Sequence, residues 1–191
     1  MSTSLFMETK CEPTIPVVAV VGTGVIGRSW VQVFARAGCQ TRLYDPDPAQ
    51  VEKALTWLDQ ELSTDCRALV REYADLEEVL AGAGYVQESG PEQIELKKAI
   101  YAELDRTAPP EAILGSSTSA HDMSDIAAGL NGAHRCIVAH PVNPPHIIPV
   151  VEILPGVKTH PDVVTRTRDF MTSVGQKPVL MNYYVPAFLL N

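Results

Sequence analysis

Length, composition and charge limit the kinds of protein that this sequence can encode. The chain has 191 residues, 46% hydrophobic and 20% charged, which is the balance of a globular domain rather than a disordered segment. Its formal net charge is -8 and no basic run stands out, so nucleic acid and anionic membrane surfaces are excluded as partners. The apolar runs are too short to span a bilayer, and the four cysteines lack metal-ligand spacing. We expect a soluble cytoplasmic protein with reduced thiols and no metal.

Residues 1–16 precede the first predicted strand. They carry charged side chains and prolines and have no continuous apolar stretch, so they lack the pattern of a secretory signal peptide. We expect a poorly ordered leader over 1–16 and one domain over 17–191.

Strands and helices alternate along the rest of the chain. A β-branched run predicts a strand buried on both faces at 17–21, and apolar residues at helical spacing predict a helix over 25–37. Further strands are predicted at 40–44, 68–73, 85–88, 112–116, 136–140, 150–154 and 177–181. Further helices are predicted to begin at Pro48, after Asp75 and at Pro91, and to span 122–130 and 161–174. The alternation predicts an α/β fold with a doubly wound, mostly parallel sheet and helices on both faces.

Three glycines form the pattern GxGxxG between the first strand and the first helix. The first permits a tight turn, the second lets a pyrophosphate approach the backbone, and the third allows close packing of helix on strand. The helix N-terminus also offers free N–H groups to phosphates. The pattern in this setting predicts a Rossmann-type nucleotide-binding domain, although a plain turn without a ligand is the alternative. The predicted cofactor-binding residues of this turn are Gly22, Thr23, Gly24, Val25, Ile26 and Gly27.

Asp45 stands at the end of the second predicted strand. A carboxylate at this position accepts hydrogen bonds from the adenosine ribose and repels a 2′-phosphate. The sequence therefore predicts NAD rather than NADP as the cofactor, while the nearby Arg42 leaves NADP open.

A second group of polar residues begins at His140, at the carboxyl end of a strand, where open α/β sheets bind ligands. If the loop 141–149 reverses the chain, the strands on either side run antiparallel. His140 then pairs near Val150, and Glu152 comes within diagonal reach. A carboxylate beside an imidazole fixes its tautomer, as oxidation of a hydroxyl requires of its base. From the spacing alone, a strand-end histidine paired with a surface glutamate is an equally good interpretation.

Hydroxyl side chains follow the strand predicted at 112–116, in the stretch SSTS. A hydroxyl there can hold the alcohol or carbonyl oxygen of a substrate. For Ser116 and Ser117, roles in a turn or a helix cap are the better interpretation.

Four stretches together resemble the 3-hydroxyacyl-CoA dehydrogenase superfamily, and within it the branch of L-gulonate 3-dehydrogenase and lambda-crystallin: VGTGVIGRSW, QESGPEQIELKK, SSTS and AHPVNPPHIIPVVEILPG. The resemblance runs from about Val17 to the last residue. It implies an NAD-dependent dehydrogenase of a small polar 3-hydroxy acid, with L-gulonate as the leading substrate.

The resemblance also implies roles for particular residues. His140, in the motif H-x-x-N, is the general base, and Glu152 on the following strand orients it. The remaining implied residues are Ser119, Asn143 and Asn191 at the substrate, and Glu92 and Lys97 near the cofactor.

Two other enzymes and one non-enzyme remain as alternatives. Carnitine dehydrogenases carry a similar histidine loop, and 3-hydroxyacyl-CoA dehydrogenases share the superfamily. Acyl-CoA members usually show H-F-F-N-P where this chain has AHPVNPP, and they have a long helical hairpin where the stretch between Glu61 and Asp75 is short. The non-enzyme alternative is an NAD-binding structural protein of the crystallin type.

The family continues into an α-helical domain that closes the substrate cleft and forms the dimer. This chain stops at Asn191, where that domain begins. We therefore expect the helical domain to be absent, and a homodimer is one of the assemblies open to the chain.

Overall fold

A single mixed sheet organises residues 13–185, which are the residues that this computed structural model describes. The strands are β1 (Val17–Val21), β2 (Gln40–Tyr44), β3 (Val70–Glu72), β4 (Tyr85–Glu88), β5 (Ile113–Ser116), β6 (Cys136–Pro141), β7 (Val150–Pro155) and β8 (Lys177–Leu180). Their order across the sheet is β3-β2-β1-β4-β5-β6-β7-β8. Neighbours run parallel except β6 and β7, which are antiparallel.

Helices cover both faces of this sheet, as the alternating pattern predicts. They are α1 (Val25–Arg36), α2 (Pro48–Glu61), α3 (Thr64–Arg67), α4 (Leu76–Leu80), α5 (Ile94–Thr107), α6 (Met123–Ile126) and α7 (Pro161–Ser173), with a 3₁₀ turn at Ala133–Arg135. One apolar cluster lies between the sheet and α1, α2 and α7, and the other between the sheet and α4, α5 and α6. The predicted doubly wound α/β fold is confirmed.

The side chains of β1 show why the sheet is buried on both sides. Val18 and Val20 pack in the cluster under α1, while Ala19 and Val21 pack in the opposite cluster. Full burial of a valine side chain stabilises the fold by roughly 1.5–3 kcal/mol. The continuous apolar run VVAVV therefore keeps β1 between the two apolar clusters, and the glycine turn follows directly after it.

Several predicted boundaries are wrong by a few residues. The strand predicted at 68–73 is confined to Val70–Glu72, because the hydroxyl of Ser63 accepts a hydrogen bond from the N–H of Cys66 and caps the unpredicted helix α3. Helix α5 begins at Ile94 rather than at Pro91, and α6 ends at Ile126. Between α2 and β3, the only helix is the four-residue α3, so the expected absence of a long helical hairpin is confirmed.

Two further observations concern the helices and the cysteines of the described residues. No helix within 13–185 is long and apolar enough to cross a membrane. Cys39, Cys66 and Cys136 are free thiols, as the scattered spacing predicts. Most of the predicted leader, residues 1–12, lies outside the described residues.

Candidate functional site

The carboxyl ends of the parallel strands β1, β4, β5 and β6 lie along one edge of the sheet. The glycine turn follows β1 at this edge, and His140 lies near the end of β6. Strands β4 and β5 lie between them. A ligand that reached from the glycine turn to His140 would therefore cross the ends of β4 and β5.

Close backbone packing explains two of the three glycines in the turn. Gly22 has a φ of 93°, and a Cβ there would lie 2.7 Å from the carbonyl carbon of Ser89. A Cβ on Gly27 would lie 1.8 Å from the carbonyl oxygen of Gly22. Around Gly24, in contrast, a Cβ would meet nothing within 4 Å. Gly24 therefore leaves open space beside the backbone, which is the space that a pyrophosphate needs.

The N-terminus of α1 faces the same open space. Gly24 is the N-cap and provides no side chain to the first turn, so the N–H groups of Val25, Ile26 and Gly27 have no capping partner. Such groups and the positive end of the helix dipole favour an anion. The turn can therefore hold a phosphate with backbone groups alone.

Asp45 is tied directly to the glycine turn. Its Oδ2 accepts hydrogen bonds from the backbone N–H of Thr23 at 2.8 Å and from the Thr23 hydroxyl at 3.2 Å. Its Oδ1 accepts from the backbone N–H of Asp47 at 3.0 Å. The carboxylate is thus held at the end of β2, where the adenosine ribose of a dinucleotide lies in this fold.

Arg42, the residue that leaves NADP open, is engaged elsewhere. Its guanidinium lies 5.5 Å from the ring centre of Tyr73 and donates a hydrogen bond to the carbonyl oxygen of Ala81. These contacts hold the guanidinium of Arg42 against Tyr73 and Ala81 rather than leaving it available for a 2′-phosphate.

A cleft of about 710 Å³ joins these features. Its walls combine the glycine turn and the end of β2 with the loop after β4 and the exposed side of α5. A mostly apolar cleft with a few fixed polar groups is typical of a cofactor site. The lining includes Gly22, Gly24, Asp45, Ser89, Gly90, Pro91, Leu96 and Ile100.

His140 and Glu152 form a buried pair at the other end of the edge. Nδ1 of His140 lies 3.0 Å from Oε2 of Glu152, and the two residues are 4% and 0% exposed. Because an ionised carboxylate only accepts, Nδ1 donates and Nε2 carries the lone pair. In this tautomer, Nε2 is the ring nitrogen that can accept a proton.

The predicted antiparallel arrangement of β6 and β7 is confirmed, but the predicted register is wrong. His140 stands directly opposite Glu152 rather than near Val150. The reason lies in the loop, because the N–H of Val142 donates to the carbonyl oxygen of Val150 at 3.0 Å and extends the ladder beyond Pro141. The direct pairing brings the two side chains closer than a diagonal one.

Sequence reasoning missed Glu88, the last residue of β4. It is fully buried, and its carboxylate accepts hydrogen bonds from Ser116 Oγ at 2.6 Å, from the N–H of Gly90 at 2.7 Å and from Lys97 Nζ at 3.0 Å. Lys97 is 1% exposed and also donates to the carbonyl oxygen of Gly90. The ammonium group of Lys97, predicted near the cofactor, thus holds Glu88 and the backbone of Gly90, which lines the cleft.

Glu92 connects the loop after β4 with the loop after β5. It accepts hydrogen bonds from the hydroxyl of Thr118 and from the N–H of Ser119 at 3.2 Å. Nε2 of His121 lies 3.6 Å from Glu92 Oε1, so His121 lies in the same group of side chains. Glu92 and Ser119, predicted at the cofactor and the substrate, are therefore adjacent.

The other predicted site residues are more dispersed. Asn143 is exposed in the loop after β6, and Asn191 lies outside the described residues. Ser117 accepts hydrogen bonds from Trp30 Nε1 at 3.1 Å and Gln87 Nε2 at 2.7 Å, which is a scaffolding role. His146, in the loop after β6, is half-buried and packs edge-on against Trp57 with ring centres 5.4 Å apart.

Comparison with known proteins agrees with this geometry. Residues 17–184 match the family model described as "3-hydroxyacyl-CoA dehydrogenase, NAD binding domain". The chain is similar to the lambda-crystallin homolog of Bos taurus, with 42% identity over 188 residues, covering 91% of this chain and 59% of that protein. It is also similar to the L-carnitine dehydrogenase of Oceanobacillus iheyensis, with 34% identity over 181 residues, covering 90% and 59% of the two chains.

A solved structure shares the fold. It is that of an NAD+-dependent 5-dehydrogenase of 5-formyl-3-hydroxy-2-methylpyridine 4-carboxylic acid, with a TM-score of 0.83 and 30% identity. The match covers 92% of this chain and 60% of that one. The chain thus spans about three fifths of the length of these relatives.

Proposed function

The chain belongs to the 3-hydroxyacyl-CoA dehydrogenase family, whose NAD-binding domain it carries, and we propose that it acts in NAD-dependent oxidation of the 3-hydroxyl of a small polar hydroxy acid. One observation carries the proposal. The buried pair of His140 Nδ1 and Glu152 Oε2, 3.0 Å apart, lies at the same edge of the sheet as the glycine turn. A base and a hydride acceptor at one edge are the two groups that alcohol oxidation requires.

In the proposed reaction, His140 Nε2 accepts the proton of the substrate hydroxyl. Bound NAD supplies the carbon that accepts hydride from the substrate carbon. The C–H bond breaks with its electron pair leaving as hydride, the O–H bond breaks toward His140, and the products are a ketone, NADH and an imidazolium. Glu152 accepts a hydrogen bond from Nδ1–H throughout the reaction and stabilises the positive charge that forms on the imidazole.

Ser119 and Asn143 are the proposed contacts to the substrate, with Asn191 as a third beyond the described residues. Ser119 is only partly exposed, and Glu92 accepts a hydrogen bond from its N–H. This hydrogen bond holds the backbone from which the Ser119 hydroxyl extends. Asn143 lies three positions after His140, in a loop where it is exposed to solvent. Both residues lie next to the ends of strands that meet at the site.

L-Gulonate is the substrate that we favour. The histidine loop AHPVNPP and the short connection between α2 and β3 support the gulonate branch over acyl-CoA substrates. A carnitine substrate is the second candidate, because the chain is 34% identical to a bacterial L-carnitine dehydrogenase. A non-catalytic, crystallin-like role is the third candidate, since the relatives of this chain include lambda-crystallin homologs.

Assembly and compartment are part of the same proposal. The apolar side chains of Ile147 and Leu180 are 68% and 47% exposed, and exposed apolar surface favours association, so we propose a homodimer. Free thiols at Cys39, Cys66 and Cys136 suit a reducing compartment, and we propose the cytoplasm.

The test is NADH formation after addition of NAD and L-gulonate, with carnitine and 3-hydroxybutyryl-CoA as competing substrates. We expect turnover on L-gulonate that His140→Ala abolishes, while the Kd for NAD changes by less than about threefold because the base does not hold the cofactor. His134→Ala, which removes an exposed histidine of the 3₁₀ turn, is the matched control. NAD binding without turnover on any of the three, by this chain and by a longer relative, would support the crystallin-like role instead.

A further inference from the structure

Glu92 carries a carboxylate next to the cleft, in the loop that follows three of its lining residues. It lies in the loop between β4 and α5, next to Ser89, Gly90 and Pro91, which line the cleft. Its hydrogen bonds to Thr118 and Ser119 fix it over the end of β5. Because β4 and β5 lie between β1 and β6, Glu92 stands on the side of the cleft that leads away from Asp45 and toward the base.

The buried Lys97 is shared between two carboxylates and lies closer to Glu88 than to Glu92. Lys97 Nζ lies 3.0 and 3.2 Å from the two oxygens of Glu88, but 3.9 Å from Glu92 Oε1. The first pair is buried, whereas the side chain of Glu92 is 37% exposed. With two carboxylates and one ammonium, the group of Glu88, Glu92 and Lys97 carries a formal charge of about -1 on its solvent-facing side.

His121 is the other basic group near this carboxylate. Its Nε2 lies 3.6 Å from Glu92 Oε1 and offsets the charge only when the imidazole is protonated. Within residues 13–185, Lys97 and His121 are the basic side chains found within 4.0 Å of Glu92. While His121 is neutral, the group of Glu88, Glu92 and Lys97 therefore keeps its formal charge of about -1 next to the cleft.

The two redox forms of the cofactor differ in charge at one end. The nicotinamide ring is positive in NAD+ and neutral in NADH, while the ribose, pyrophosphate and adenine are the same. A fixed negative charge beside the ring attracts only the oxidised form. We propose that Glu92 is a specificity-determining residue that raises the affinity of the cleft for NAD+ relative to NADH. This inference rests on the proposed function, because it requires the cofactor to lie across the cleft with its nicotinamide toward His140.

The experiment measures the Kd for NAD+, NADH and ADP-ribose with the unmodified chain and with Glu92→Gln. We expect the ratio of Kd for NAD+ to Kd for NADH to rise about tenfold in Glu92→Gln, the order for one charge acting over several ångströms in a partly solvated site. ADP-ribose lacks the ring, so its Kd should stay within about twofold.

Two further variants separate charge from structure. Glu92→Asp shortens the side chain and weakens its hydrogen bonds but keeps the charge, so the ratio should stay near that of the unmodified chain. Glu95→Gln removes a carboxylate of α5 that is 82% exposed and paired with Lys98, and it should leave the ratio unchanged. An unchanged ratio in Glu92→Gln, with all three ligands still binding, would overturn the inference. Failure of ADP-ribose itself to bind the unmodified chain would instead overturn the proposed cofactor site.

Discussion

Thr23 is joined to Asp45 by two hydrogen bonds, from its backbone N–H at 2.8 Å and from its hydroxyl at 3.2 Å, both to Oδ2. The same carboxylate that the fold offers to the adenosine ribose thus also fixes the middle of the glycine turn. Ribose binding and phosphate binding are coupled through this one side chain. Loss of the carboxylate should therefore affect both ends of the adenosine diphosphate moiety.

We predict that Asp45→Ala raises the Kd for NAD about tenfold or more, because a charge-assisted hydrogen bond is lost and the turn is loosened. The Kd for NADP should rise less, since the repulsion of its 2′-phosphate is removed as well. Fluorescence titration with both cofactors measures the ratio. Asp75→Ala removes a different carboxylate that only caps α4; if it changed the ratio as much, the role assigned to Asp45 would be wrong.

Gly24 and Gly27 should respond differently to the same substitution. In Gly24→Ala the new Cβ occupies open space, so we expect a Tm loss of no more than about 4 °C, from the poorer N-cap. The Kd for NAD should nevertheless rise at least about tenfold, because the methyl group fills the space for the pyrophosphate.

In Gly27→Ala the Cβ would lie 1.8 Å from the carbonyl oxygen of Gly22. We expect a loss of about 3 kcal/mol or more in unfolding free energy, because backbone must move. Thermal unfolding and cofactor titration of both variants provide the comparison. Equal Tm values for the two variants would contradict the packing explanation of Gly27.

The alternation of strands and helices and the glycine pattern could be predicted because both depend on local sequence. The apolar run of β1 and the spacing of the three glycines are each visible within a few residues of sequence, although Gly22 also packs against the distant Ser89. The register of His140 against Glu152 could not be predicted in the same way. It depends on how the loop 142–149 closes, and the N–H of Val142 pairs with Val150 without a turn motif that marks it in the sequence.

Glu88 could not be found by pattern because its partners come from three separate segments. A strand ending in YVQE gives no sign that its glutamate is fully buried. One signal was available, since Lys97 falls on the inward face of α5 between the partly buried Ile94 and the buried Tyr101. A lysine on an apolar face requires a buried carboxylate as its partner, and the end of the neighbouring strand is the place to look for it.

Glu152→Gln tests the proposed role of the carboxylate in positioning the base. Glutamine is close in shape and still accepts the hydrogen bond of Nδ1, but it removes the charge that stabilises the imidazolium. We predict a fall in kcat of about 100-fold, within the range for acid–base catalysis, with KM and the Kd for NAD changed by less than about threefold. The exposed Glu111 gives the control variant, Glu111→Gln. A fall in affinity equal to the fall in kcat would assign Glu152 to the fold instead.

His146 should make the stability of the chain depend on pH. Burial lowers the pKa of its imidazole, and the guanidinium of Arg36 lowers it further. The unfolded chain therefore takes up a proton at a higher pH than the folded chain does. The stability contributed by the neutral imidazole is present above the ordinary value of 6.5 and is lost as the pH falls through the folded-state pKa.

We predict that the free energy of unfolding falls between pH 7.5 and pH 5.5, about two units that bracket the ordinary histidine pKa, and that it falls less in His146→Phe. Phenylalanine keeps the edge-on contact with Trp57 but cannot take up a proton, so it removes the contribution of His146 to the pH dependence and largely retains the packing. Urea denaturation at both pH values measures the difference. Parallel losses in the two proteins would mean that other groups, and not His146 beside Arg36, govern the acid sensitivity.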